Sequence, residues 1–386
     1  MIRFHSTFCQ LLNLFSRYDF QKAVKQHSGE RHSRGISCWD QFVTMLFCHL
    51  AKAKSLREII GGMASQEPFL YHLGAKQMKR SSLSYANAHR PWQIYRDVFY
   101  QFLTQCRCLQ KGHKFRFKNK LLSIDATVID LCASIFNWAK FRQTKGGVKL
   151  HLSLDHDGYL PSYAYITTAK IHEITIARER IWPPDTILTF DRAFIDFPWF
   201  GDLIGQGVWF VTRAKSNSAY RVIETRLLPL NRNILKDEVI ELTGYYPYQG
   251  CPYPLRRIEA FDPKTEEIVV LLTNHLRFGA STISAIYKDR WQIEILFRNL
   301  KQHLRIKTFI GTSANALHIQ IWTALIGYLL LWYLKMKSEF SWSLSNLFAL
   351  VRMNLFSRKS LWAWLDDPFP KPKNYPAQLP LFEFVT

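Results

Sequence analysis

Residues 120–129 read KLLSIDATVI, and there the chain changes its period. Branched residues dominate, with Leu121, Ser123, Asp125, Thr127 and Ile129 on one face and Leu122, Ile124, Ala126 and Val128 on the other, so the run is a β-strand. Asp125 is the anomaly. A carboxylate inside so apolar a strand is costly unless it is paired or bound to a metal.

Upstream of this strand the pattern is helical. Phe8, Leu11, Leu12, Leu14 and Phe15 stand at helical spacing within residues 1–30, and the polar, basic HSGERHSRG at 27–35 forms a linker. Ser37 caps a helix over 38–53, on which Phe42, Met45, Leu46, His49 and Leu50 repeat at three and four. Ser55 and Glu58 fit a capping box for a second helix that ends at Gly61-Gly62. Two helices joined so tightly resemble a helix-turn-helix unit. A third, over 81–90, carries Ser82, Ser84, Tyr85, Asn87, His89 and Arg90, side chains able to bond bases or phosphates; a helical spacer is the other reading of each. Pro91 opens a further helix to residue 107, with Tyr95, Val98, Phe99, Phe102 and Leu103 facing inward.

Downstream, a polar connection through Arg142, Lys145, Gly146 and Gly147 leads to strands at 148–154 and 159–167, joined by the turn DHDG at 155–158. A short helix follows His172-Glu173. A fourth strand, 186–190, ends at Asp191, and helix-forming residues at 199–204 precede a strand at 208–212 followed by Arg213 and Lys215. Short β-rich runs at 239–242, 255–261 and 267–273 then interrupt the alternation, as a β insertion in an α/β core. The core resumes in YKDRWQIEILFRNLK at 287–301, part of a stretch free of Gly and Pro from 281 to 305 that reads as one long helix. At about 100° per residue, with Tyr287 at zero, Arg290, Glu294 and Lys301 fall at about −60°, −20° and −40°. They form one stripe beside the apolar face of Ile286, Ile293, Phe297, Leu300 and Leu304. A carboxylate among a phenol, a guanidinium and an ammonium suits a metal-assisted phosphate site; on an isolated helix the same stripe reads as a solvated flank with salt bridges.

The chain has 386 residues, 48% of them apolar, enough for a substantial core in two or three units. Lys plus Arg number 51 against 30 acids, a net charge of +21 spread along the chain, which points to a polyanion, with nucleic acid ahead of an anionic membrane. Seven cysteines at irregular spacing fit a reduced, cytoplasmic protein, and the N-terminus lacks a signal-peptide h-region. The apolar run at 319–334 is shorter than the roughly 20 residues that span a bilayer, and reads as a buried helix with no membrane partner. One more helix is expected over 341–356, then a Pro-rich stretch at 366–380. The expected organisation is an N-terminal helical DNA-binding region at 1–115, core segments at 116–215 and 275–340, a β-rich insertion at 216–274, and a C-terminal helix and tail at 341–386.

Three acids stand out by position: Asp125 in the first strand, Asp191 at the end of the fourth, and Glu294 on the helix. In a mixed sheet flanked by helices these places converge at one sheet edge, where divalent ions offset the repulsion of the carboxylates. Hard oxygen ligands favour Mg²⁺ or Mn²⁺, and two such ions about 3.5 to 4 Å apart serve in-line attack on a phosphodiester.

The spacing Tyr287-x2-Arg290-x3-Glu294-x6-Lys301 resembles the signature of the bacterial DDE transposases grouped around insertion sequence four. The words SIDATVID, FDRAFIDF, FVTRAKSN, GTSANALHIQIWTALI, MLFCHLAKAKSLREI and SYANAHRPW extend the resemblance over nearly the whole chain. It implies a ribonuclease-H-like core and cut-and-paste transposition: binding of the inverted-repeat ends of double-stranded DNA, metal-dependent cleavage, hairpin ends as the excision intermediate, strand transfer, and a homodimer on DNA. Asp125, Asp191 and Glu294 become the catalytic metal ligands, and Tyr287, Arg290 and Lys301 contacts to phosphates near the cleaved end. Ala193 and Phe194 stand where many relatives have Gly and Tyr. Arg213 and Lys215 are expected on the DNA backbone, and Trp291 either stacks on an extruded base or packs inward. His172 reads as structural, with contact to the active site as its other reading, while His151 and His156 have no partner at ligand spacing. The rival readings are a non-catalytic DNA-binding regulator, a decayed transposase, or a general nuclease.

Overall fold

The computed structural model describes residues 5–31, 33, 35–132, 136–139, 145–215, 218–230, 232–304 and 309–370. Arg142, residue 216 at the expected edge of the insertion, and the tail beyond residue 370 lie outside the described residues. Among the described residues seven α-helices come first: α1 (Thr7–Leu12), α2 (Arg17–Gln26), α3 (Cys38–Leu50), α4 (Leu56–Ala64), α5 (Glu67–Leu70), α6 (Arg80–His89) and α7 (Gln93–Arg107). Ser6, Ser16, Ser37 and Ser55 each accept a backbone N–H at a helix start, meeting donors that would otherwise be orphaned. Ser37 and Asp40 close a full capping box. Glu58 instead accepts from the Lys54 N–H at 2.8 Å, and α4 runs on through Gly61 and Gly62 to Ala64. Every side chain of α3 is buried, so it is a core helix and presents no face to a ligand.

The remaining helices are α8 (Glu173–Arg178), α9 (Phe197–Gly205), α10 (Tyr245–Gly250), α11 (Ala280–Asp289), α12 (Trp291–Gln302), α13 (Ala314–Lys337), α14 (Leu344–Met353) and α15 (Leu361–Asp366). The expectation of one helix from 281 to 305 is corrected: it breaks at Arg290. The Arg290 N–H bonds to the Tyr287 carbonyl and the Ile293 N–H to the Arg290 carbonyl, three residues apart instead of four, so the turn is tightened. No Gly or Pro marks the break. Its cause is tertiary: the Asp289 carboxylate is drawn inward to exposed Lys114, buried His156 and half-buried Tyr159.

Among the described residues nine strands form one mixed sheet: β1 (Leu121–Cys132), β2 (Lys145–Asp155), β3 (Leu160–Thr168), β4 (Ile187–Phe190), β5 (Trp209–Arg213), β6 (Tyr220–Thr225), β7 (Ile234–Leu242), β8 (Leu255–Asp262) and β9 (Glu267–Thr273). Their spatial order is β3-β2-β1-β4-β5-β9-β8-β7-β6. β1 is antiparallel to β2 and parallel to β4, and β4 is parallel to β5. The later β-rich strands continue this sheet instead of making a second one, because β9 pairs antiparallel with β5 at Val211↔Thr273. Strand β6 and helix α10 had no counterpart in the sequence reading.

Helices cover both faces. Ala280, Ile283 and Ile286 of α11 pack over Leu121, Ile187 and Val211, while Ala177 of α8 and Trp199, Phe200 and Leu203 of α9 pack under Leu122, Leu188 and Phe210. The largest core joins α1–α3, α7, α12 and α13 to β2 and β3. Helix α13 is its axis: at 24 residues it is long and apolar enough to cross a bilayer, which corrects the expectation of too short a run, and 17 of those residues are buried inside the fold, including all from Ile319 to Trp332. Its polar interruptions are satisfied, Gln320 accepting from the Ile310 N–H at 3.0 Å and Thr323 bonding to the Ile319 carbonyl and to His49.

Candidate active site

Strand register brings the first two acids together. Leu121 pairs with Ile187 and Ser123 with Thr189, and two residues further along the same register Asp191 stands beside Asp125. One strand over, Phe190 pairs with Thr212, which sets Arg213 beside Asp191. Leu121, Ile187 and Val211 all point into the α11 core, so Asp125, Asp191 and Arg213 make a row on that same face, about 5 Å from strand to strand. Asp191 caps a 3-10 turn through the Ala193 N–H at 2.9 Å, which fixes its carboxylate just past the end of β4.

The helix break lowers its side chains onto this row. Arg290 lies 2.7 Å from Glu294 and 3.8 Å from Asp125, so one guanidinium bridges the strand acid and the helix acid. Its centre stands 5.5 Å above the Tyr287 ring. Asp125 accepts from the Ala126 N–H at 2.7 Å. Burial foremost, with the charges of Asp191 and Glu294 added, pushes the Asp125 carboxyl up to about 7 against the pull of Ala126 N–H and Arg290. Burial likewise raises the Tyr287 phenol, opposed by Arg290 and Arg213. Arg290 is held above the ordinary guanidinium range because Glu294, Tyr287 and Asp125 outweigh its burial. Lys301, eleven residues along, donates to the Val128 carbonyl of β1 at 3.0 Å.

The remaining expected residues divide. Trp291 is 53% exposed, so the inward-packing alternative is corrected: its ring faces solvent. Arg213 is half-buried and Lys215 exposed. Both line a cleft of about 300 Å³ with Arg192, Arg257 and Tyr220, over an apolar floor that includes Val270 and Leu272. Sequence reasoning passed over Arg192, although it adjoins Asp191, and Arg257, which nothing local distinguishes. On α6, Ser84, Tyr85 and His89 are exposed, the last two rings stacked at 4.1 Å, and Arg80 and Ser81 extend that surface. Asn87 is corrected: it is buried and accepts from Gln41 at 2.7 Å. Beside α6 a groove of about 600 Å³ is lined by Arg31, Ser81, Tyr85, His89 and Arg90, and residues 68–96 hold five Lys or Arg and no acid.

Among the described residues, no three His, Cys, Asp or Glu side chains are drawn closely enough together to hold a metal ion. The donor set of the row is nevertheless suited to one. Asp125 and Asp191 of the row, with Glu294 of the helix, are hard oxygen donors whose repulsion a divalent cation would relieve, and Arg290 stands in the place between Asp125 and Glu294.

The family model described as "Transposase DDE domain" matches residues 116–330, and one described as a domain of unknown function matches residues 4–76. The chain is 30% identical over 292 residues to the Sinorhizobium fredii protein named "Putative transposase y4zB", covering 75% of this chain and 80% of that one. It is 26% identical over 264 residues to "Probable transposase for insertion sequence element IS5377" of Geobacillus stearothermophilus, covering 68% of each. Among solved structures it is similar to the piggyBac transposase in a synaptic complex with hairpin DNA, at 13% identity and a TM-score of 0.44 over 98% of this chain and 90% of that one. With the first of these matches spanning more than half its length, the chain belongs to the transposase DDE domain family.

Proposed function

We propose that this protein is a cut-and-paste transposase of the insertion-sequence-four group, acting in the cytoplasm on the inverted-repeat ends of its own element. The observation that carries the reading is the row of Asp125, Asp191 and Arg213 across three adjacent strands, met from above by Tyr287, Arg290 and Glu294. The strand order around that row, three antiparallel strands followed by two parallel ones, supports a ribonuclease-H-like core.

Asp125, Asp191 and Glu294 would hold Mg²⁺ or Mn²⁺, two ions in all. Such ions supply charge neutralisation and nucleophile activation in phosphodiester chemistry. Arg290 would leave the carboxylates for a DNA phosphate as the duplex docks, freeing Asp125 and Glu294 together. Tyr287 and Lys301 orient the same backbone, Arg213 and Lys215 bind it along the cleft, and Trp291 offers an exposed ring to an unstacked base. The acid-free surface of α6 would hold the duplex away from the cut. Water attacks the phosphodiester and releases a 3′-hydroxyl, which then attacks the opposite strand or the target. Pairing two ends calls for two copies on DNA.

The test is nicking of a duplex carrying the repeats that flank the reading frame. Asp125→Ala, Asp191→Ala and Glu294→Gln should each abolish nicking in Mg²⁺ and keep duplex binding. Wild-type nicking by Glu294→Gln would sink the ligand assignment, and wild-type protein that binds without nicking would favour a non-catalytic regulator. Equal cutting of unrelated DNA would make it a general nuclease.

A further inference from the structure

Asp289, the last residue of α11, is a buried carboxylate where carboxylates are least favoured, at the negative end of a helix. Three donors compensate it: Lys114 Nζ at 2.5 Å, His156 Nδ1 at 2.8 Å and the Tyr159 hydroxyl at 3.1 Å. The other ring nitrogen of His156 lies 2.6 Å from Ser123 Oγ. His156 also donates its backbone N–H to the Leu121 carbonyl. An unbroken chain therefore runs from β1, through the β2–β3 turn, to the residue that precedes Arg290. Burial alone would raise Asp289, but its bonds to His156 and Lys114 outweigh that and hold it below the ordinary carboxylate range. An ionised carboxylate only accepts, so His156 Nδ1 donates to it, and its Nε2 shares the second hydrogen bond with the Ser123 hydroxyl.

A hydroxyl, an imidazole and a carboxylate in line are the parts of a nucleophilic triad. That role is closed here, because Ser123 is 0% exposed and no substrate reaches its oxygen. What the chain does touch is the catalytic row. Ser123 lies two residues before Asp125 on the same face of β1, and Asp289 is joined to Arg290, which bridges Asp125 and Glu294. The pull on Asp289 also accompanies the tightened turn that aims Arg290 downward.

We propose that Ser123, His156 and Asp289 are positioning residues that set the separation between Asp125 on the sheet and Glu294 on the helix. The proposal rests on the active-site reading above. Displacing reacting groups by about 1 Å costs on the order of a hundredfold in rate, and losing a hydrogen-bonded support behind a ligand costs about 10- to 100-fold.

The experiment compares wild type with His156→Ala, His156→Asn, Asp289→Asn and Ser123→Ala. It reads the nicking rate of pre-bound end duplex, the duplex Kd, Mn²⁺ affinity by calorimetry and the thermal midpoint. His156→Ala and Asp289→Asn should slow nicking about 30-fold and weaken Mn²⁺ binding several-fold, with the duplex Kd held within about twofold. His156→Asn keeps a donor toward Asp289 and should recover most of the rate. Folded His156→Ala and Asp289→Asn proteins with wild-type rates and Mn²⁺ affinity would overturn the proposal. So would an Asn variant no better than Ala while the thermal midpoint falls equally in both, which is the mark of a purely structural role. If His156→Ala does not fold, Ser123→Ala, which removes one hydroxyl, decides: a rate and Mn²⁺ affinity equal to wild type would overturn it. Asp125→Asn runs alongside, and its nicking at the wild-type rate would refute the active-site reading itself, whatever the His156 variants do.

Discussion

Acidification should loosen the seam between the N-terminal helices and the end of α12, through His49. This residue of α3 is fully buried, with Nδ1 2.8 Å from the Leu304 carbonyl and Nε2 2.9 Å from Thr323 of α13. Burial lowers its imidazole from the ordinary 6.5 to about 4, although bonds to backbone carbonyls oppose the shift. The fold thus holds the neutral ring. Its contribution is fully present above pH 6.5 and is lost as the pH falls from 6.5 through 4, because the unfolded chain takes up the proton first. The whole linkage amounts to about 3 kcal/mol, of which about 2 kcal/mol is lost between pH 7.5 and pH 5. Urea unfolding followed by tryptophan fluorescence at those two pH values measures it. His151, His275 and His318, each also lowered to about 4, add to the wild-type slope, so the diagnostic quantity is a difference. His49→Asn, which can still donate to Leu304, should be about 2 kcal/mol less pH-sensitive than wild type. Equal losses in the two proteins would refute the assignment.

Arg290→Ala should reduce the salt slope of duplex binding by about one phosphate contact, and lower stability in metal-free buffer by about 2 kcal/mol as Asp125 and Glu294 lose their shared partner; salt titration and urea unfolding read the two effects. Trp291→Ala should change stability by less than about 0.5 kcal/mol, since the ring is exposed, yet raise the duplex Kd about tenfold by losing a stacking surface. An unchanged Kd would remove Trp291 from the interface. At Gly201 an added Cβ would stand 2.4 Å from the Gly250 carbonyl oxygen, where α9 and α10 meet. Gly201→Ala should therefore cost about 1 to 3 kcal/mol, visible as a lower thermal midpoint.

What the sequence made legible was whatever local periodicity and capping encode. The alternation of 120–129 placed Asp125 on the right face of β1, and the apolar spacing of 91–107 placed Tyr95, Val98 and Phe102 in the core. What it concealed depends on partners far along the chain. His156 has no partner at ligand spacing in the sequence because Ser123 lies 33 residues away and Asp289 133. The break at Arg290 was invisible for the same reason: the sequence there favours continuous helix, and the hydrogen bonds that Lys114, His156 and Tyr159 make to the buried Asp289 carboxylate override that preference. Asn87 looked like a base-reading side chain on an exposed helix, but Gln41, on a helix with no exposed face, takes it inward. Strand β6 eluded detection because all six of its residues are exposed, so no alternation in polarity marks it.

The continuity of the nine-stranded sheet has a mechanical consequence. Arg213 on β5 and Arg257 on β8 belong to one hydrogen-bonded lattice, so the interval between these two charges is as fixed as that between rungs on a ladder. A duplex laid across both cannot draw them together by closing a hinge between core and insertion. On the proposed function the nucleic acid would do the yielding, and end sequences that deform cheaply would gain affinity at base pairs no side chain touches.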